Sequence, residues 1–154
     1  MAKPRKITGL KPEQNYRTNA RIILPQKVEE VYSWEQFIQD PERREELHNM
    51  RISIKRLRYT MEFFAVNYDT HFDDFLTTII DLQDILGDIH DSDVVLEVLM
   101  NYKIGVQSTE LPGVDTLITR TQDTRNTDYD RFLKKWQQLS EAGFKQKLLE
   151  IIAS

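Results

Sequence analysis

The chain has 154 residues, 40% apolar and 30% charged, which fits a single soluble domain large enough to bury a core. It contains no cysteine, so a disulfide scaffold, thiol catalysis and a cysteine-type zinc site are excluded. The net charge of −4 argues against a polycation coating genomic DNA. With no bilayer-length apolar run and no signal-peptide core, the expected location is cytoplasmic.

Residues 1–16 hold two prolines, a glycine and several cations with little periodicity, and read as a flexible basic arm ahead of a domain over 17–154. Leu24, Val28, Val31 and Ile38 predict a helix within 17–39, started or kinked by Pro25. Asp40-Pro41 is a break, after which Asp40 as N-cap and Pro41 in the first turn would open a helix reaching about Asn67. Phe72, Phe75, Ile79, Leu82 and Leu86 predict a helix over 71–87 that stops at Gly87. Asp91, Ser92 and Asp93 then offer caps for a short helix over 94–103. After a loop at 104–113, a long helix is expected over 114–139, with Val114, Ile118, Arg125, Tyr129, Phe132 and Trp136 on its stripe. A short helix over 144–152 closes the chain. No strand pattern appears. The fold class is all-α: an antiparallel helical bundle of about four long helices plus a short C-terminal helix.

Charge is segregated along this plan. From Tyr59 to Tyr102 there are ten acids and no Lys or Arg, and just before that stretch stand Arg51, Lys55, Arg56 and Arg58. Wound at about 100° per residue, His48, Arg51, Lys55, Arg58 and Glu62 form one stripe. Met50, Ile54, Leu57, Met61 and Phe64 form the core stripe beside it, and Ile52, Tyr59 and Phe63 border the basic row on its other side. Charges of a surface helix ordinarily lie opposite its core stripe, and four cations within eight residues repel one another. A solvated face is the plain explanation; an anionic partner is the alternative that accounts for the placement. Arg125, on the core stripe of the last long helix, either snorkels at a bundle end or points inward, where it needs an anion or a carboxylate such as Asp128.

The run H48-N-M-R51-I-S-I-K55-R56-L-R58-Y59-T-M-E62, followed by L82-Q83-D84-I-L86-G87-D-I-H90-D91-S-D93, resembles the CHAD family, the conserved-histidine α-helical domain. R125-N-T-D-Y129-D-R-F132-L-K-K-W136 fits that family's terminal helix more loosely, so the resemblance spans about 18–152. It implies a helical bundle whose basic surface binds inorganic polyphosphate, with no catalytic activity; separately, no cofactor or metal is expected. His48, Arg51, Lys55 and Arg58 would form the site, with Arg56, Lys27 and Arg125 as weaker candidates. The motif occurs once where a full CHAD domain resembles two related halves. The chain therefore looks like one half, more like the second, and two copies pairing as a homodimer would rebuild the cavity. Polyphosphate-granule association, regulation and phosphate storage all fit such a ligand.

Two other functions compete. His48, His90, Asp84, Asp88, Asp91 and Asp93 would be the ligands of a metal-dependent phosphohydrolase, although their spacing matches no strong metal motif. A structural or adaptor bundle binding RNA or a protein would need exposed aromatics for base stacking in the RNA case. Tyr59, Phe63, Tyr129 and Trp136 are expected in the core instead, with no sequence-specific nucleic-acid binding.

Overall fold

A computed structural model of the chain describes residues 2–154, which contain five α-helices and no strand. α1, Tyr16–Tyr32, is opened by Asn15, whose side chain accepts a hydrogen bond from the Thr18 backbone N–H at 2.8 Å. It carries Pro25 in its interior and ends well short of residue 39. The following segment, with a 3₁₀ turn at Glu35–Phe37, folds inward because three aromatic donors fasten it. Trp34 Nε1 donates to Ser53 Oγ at 3.0 Å, Tyr129 Oη to the Ile38 carbonyl at 2.6 Å, and Trp136 Nε1 to Glu35 Oε2 at 2.8 Å. These bonds give the buried or half-buried indole N–H and phenol O–H groups acceptors on the segment and at Ser53.

The expected start of the second helix at Pro41 is also displaced. Asp40 accepts from the Glu42 N–H at 2.9 Å in a local turn, and α2 runs Arg44–Phe64. α3, Thr70–Ile104, is a single helix of 35 residues capped by Asp69, so neither the stop at Gly87 nor the caps at Asp91–Asp93 exist. The reason is tertiary. Leu82, Leu86, Ile89, Ser92 and Leu96 keep one buried stripe running through the glycine, and burying that stripe outweighs a glycine penalty of about 1 kcal/mol. α4, Leu111–Glu141, and α5, Phe144–Ala153, follow; Gly143, at φ +69°, makes the left-handed turn between them.

Successive helices are antiparallel neighbours. Tyr16 meets Phe63 and Phe64 at one end of α1–α2 while Glu30 meets Arg56 further along. His48 meets His90 and Arg58 meets Gln83 across α2–α3; Asp88, Asp93 and Lys103 meet Arg131, Arg125 and Asp115 across α3–α4. α5 packs against α1, α3 and α4 and closes a core that includes Leu24, Met50, Ile54, Phe72, Phe132 and Leu148. The far ends of α3 and α4 form a hairpin with a small core of its own, Leu96, Val114 and Ile118. Arg125 points inward, 2% exposed, and pairs with Asp93 rather than Asp128 while donating to the Pro41 carbonyl at 2.7 Å.

Gly87 has an ordinary helical backbone, and a Cβ there would meet only Arg51 Nε, at 3.7 Å. Gly87→Ala therefore raises unfolding stability by about 0.5–1 kcal/mol in urea titration. A loss of stability would mean that the α2–α3 seam is tighter than this geometry.

Candidate functional site

The basic row of α2 lies along its seam with α3. The spacing that puts His48, Arg51, Lys55 and Arg58 on one edge of α2 meets Gln83, Gly87 and His90, which share one face of α3. His48 stacks on His90 with ring centroids 4.1 Å apart. Arg51 passes over Gly87, where a Cβ would lie in ordinary contact with its Nε at 3.7 Å. Arg58 donates to Glu62 at 2.9 Å and to Gln83 at 3.4 Å. Lys55 stands between Arg51 and Arg58, its Nζ 5.8 Å from the Tyr59 ring centroid.

The charge balance along this row is uneven. Arg58 is paired with Glu62, a hydrogen bond that holds its guanidinium above the ordinary range. Among the described residues, Arg51 and Lys55 form no ion pair. Arg51 Nε and His48 Nδ1 are buried without a hydrogen-bond partner. An unmet buried donor costs about 1–3 kcal/mol, so an edge that keeps such groups beside two unpaired cations is electrostatically incomplete. Burial holds the His48 pKa below its ordinary value, and His90 and Arg51 push it further down. Next to His48 the seam opens into a cleft of about 440 Å³ between α2, α3 and α4, lined in part by Arg44, Glu45, His90 and Glu97.

The other candidates lie elsewhere. Lys27 and Arg56 face each other across α1 and α2 and share the buried Glu30, at 3.7 and 3.2 Å, and Arg56 also donates to the Ala2 carbonyl at 2.8 Å. Arg125 is consumed by Asp93. The aromatics divide: Tyr129 and Trp136 are buried as expected, but Tyr59 is 51% and Phe63 63% exposed, which corrects their assignment to the core. They border the basic row on its other side, where Tyr16 of α1 packs against Phe63 and both Tyr59 and Phe63 stay more than half exposed. Gly87 and His90 were readable from the α3 motif, but their place under the row depends on α3 remaining one helix. No group of three or more His, Asp or Glu side chains is arranged to hold a metal among the described residues. Asp88 is instead engaged by Arg131 and Asp93 by Arg125.

The family model of the CHAD domain matches residues 9–100, more than half of the chain. The chain belongs to the CHAD family. The matched region takes in the end of the N-terminal arm, α1, α2 and most of α3, and so contains the whole row and its α3 floor; α4 and α5 lie beyond it. No match was found among curated proteins or among solved structures. CHAD domains are associated with polyphosphate binding and are generally non-catalytic modules.

The burial of His48 in this CHAD seam has a measurable consequence. The folded state favours its neutral form, so as pH falls through about 6.5 the unfolded chain takes up the proton first and the fold loses stability. Urea titrations between pH 7.5 and 5.5 should show this loss, and His48→Gln should reduce it. An unchanged pH slope in the variant would place the titration on other groups.

Proposed function

We propose that this CHAD domain binds inorganic polyphosphate along the α2 edge, without catalysing its turnover. The observation that carries the reading is the unmet Arg51 Nε beside unpaired Lys55, at a seam edge where, among the described residues, neither cation has an acid within ion-pair distance. A phosphate chain supplies what is absent: closely spaced anionic oxygens able to accept from a guanidinium in a bidentate manner. Arg51 grips one phosphoryl group, Lys55 acts as a point charge on the next, and Arg58 adds to the row by exchanging part of its Glu62 contact. At 1.5 Å per residue the row from His48 to Arg58 extends about 15 Å, long for one phosphate and suited to several linked units. Because His48 is held neutral, its protonation would add to affinity only below pH 6.5. Lys27, Arg56 and Arg125, already satisfied by protein acids, fall outside this site.

The test is retention of labelled long-chain polyphosphate. Arg51→Glu with Lys55→Glu should abolish it while helicity is retained, whereas Arg56→Gln, scored on protein of wild-type helicity because the change breaks the Glu30 pair, should leave it within about twofold, a difference under about 0.5 kcal/mol. With about four charges engaged, log affinity should fall against log salt with a slope of about −3. Undiminished binding by the folded double variant would refute the assignment.

The single motif supports reading the chain as half of a full CHAD domain, and the exposed outer face of α3 favours a homodimer. Val94, Val98 and Tyr102 continue, past the start of α2, the α3 face that carries Gly87 and His90. Pairing through them would place two basic rows near a common axis. Light scattering should give twice the mass of one chain, and Val98→Asp should return a monomer with weaker polyphosphate binding. A wild-type monomer that binds at full strength would remove the dimer and leave the single row. Among the described residues, no helix is long and apolar enough to cross a membrane.

A further inference from the structure

The polyphosphate reading leaves one side of the row unexplained. Tyr59 stands with its ring centroid 5.8 Å from both Lys55 Nζ and Arg58 Cζ, yet it is 51% exposed. One turn on, Phe63 is 63% exposed. Its ring lies against Tyr16 at 5.2 Å, and the Tyr16 hydroxyl donates to the Phe63 carbonyl, so the two rings are held in place by backbone as well as by each other. Beside them a cavity of about 470 Å³ is lined by Leu10, Pro12, Ile23 and Phe64, with Lys11 among its walls. A row of cations thus runs into an exposed aromatic surface. An inorganic phosphate chain has no planar or apolar group, and these rings can do little for it.

We infer that the edge formed by Arg51, Lys55, Arg58, Tyr59 and Phe63 takes single-stranded nucleic acid, with the cations on its phosphates and the rings of Tyr59 and Phe63 stacked against its bases. Charge complementarity selects this occupant: the aromatic patch adjoins Arg58 and the unpaired Lys55, the acids of 59–102 are carried mainly by α3, and the one acid of that stretch on α2, Glu62, is paired with Arg58. Sequence-tolerant binding of this kind combines a basic track with aromatic platforms, because every base has a π-face. Lys55 and Arg58 already lie over the Tyr59 ring, so a base stacks on the part of that ring they leave exposed, beside their charges. The inference rests on the proposed polyanion row and adds a base-dependent component to it.

The test compares three probes at one salt concentration on the full chain: inorganic polyphosphate, an oligouridylate of about ten nucleotides, and an abasic sugar-phosphate oligomer of equal length. The oligouridylate should bind at least about tenfold more tightly than the abasic oligomer, the scale of one base–aromatic stack. Tyr59→Ala with Phe63→Ala, both at exposed positions, should bring those two affinities together. Equal affinity for the base-bearing and abasic oligomers, with polyphosphate still bound, would overturn this inference alone and leave the phosphate row standing; a patch that docks a protein instead would give that same result. A base preference that survives the double substitution would overturn it as well. Failure of all three probes to bind would overturn the row and this inference together.

Discussion

The seam between α2 and α3 is the constraint on which the rest of this structure depends. α2 must bury Met50, Ile54, Leu57 and Met61, and their helical spacing leaves the adjacent edge, with His48, Arg51, Lys55 and Arg58, lying along the neighbouring helix. α3 accommodates that edge with a glycine under Arg51, an imidazole against His48 and an amide at Arg58. Of its acids, Asp88 and Asp93 are taken by arginines of α4, while Asp84 stays within electrostatic reach of Arg58. The seam therefore keeps a positive edge inside a protein whose total charge is negative. Local field, not net charge, then decides what ligand this surface attracts.

The same arrangement explains which cations are available. Glu30 and Asp93 act as internal counter-ions for Arg56, Lys27 and Arg125, and each is itself largely withdrawn from solvent. Breaking such a buried pair costs several kcal/mol, so these residues hold α1, α2 and α4 in place and are poorly suited to exchange partners with a ligand. Arg51 and Lys55 have no such commitment. The division between paired and unpaired cations follows from partner geometry, since all of them are equally basic in the sequence.

Much of the fold was legible in the residue pattern, because apolar periodicity reports burial directly. The all-α class, the core stripes of α2 and α4, and the placement of His48, Arg51, Lys55 and Arg58 on one edge all follow from it. The boundaries that failed were those where long-range packing overrides local chemistry. Gly87 reads as a helix end, yet it lies at the middle of α3 because the buried stripe continues on both sides. Asp40-Pro41 reads as a cap and first turn, yet the chain there is held by Tyr129 and Arg125 from α4. Pattern also places Tyr59 and Phe63 only relative to α2; that they stay more than half exposed, Phe63 against Tyr16, depends on where α1 and α3 pack. Arg125 illustrates the same limit: its inward direction was an open alternative, but the choice of Asp93 over Asp128 required knowing that α3 continues past Gly87.

The proposed phosphate-binding surface is the α2 edge on which Arg51 and Lys55 are unpaired. Residue-resolved NMR titration of the labelled chain with polyphosphate tests it most directly, because it reports arginine Nε–H groups and backbone amides together. The account predicts the largest shifts at Arg51 Nε–H and over residues 48–58, smaller ones at 83–90, and little change at Lys27, Arg56 and Arg125. Shifts centred on the Lys27–Arg56 side, with Arg51 Nε–H unmoved, would contradict it.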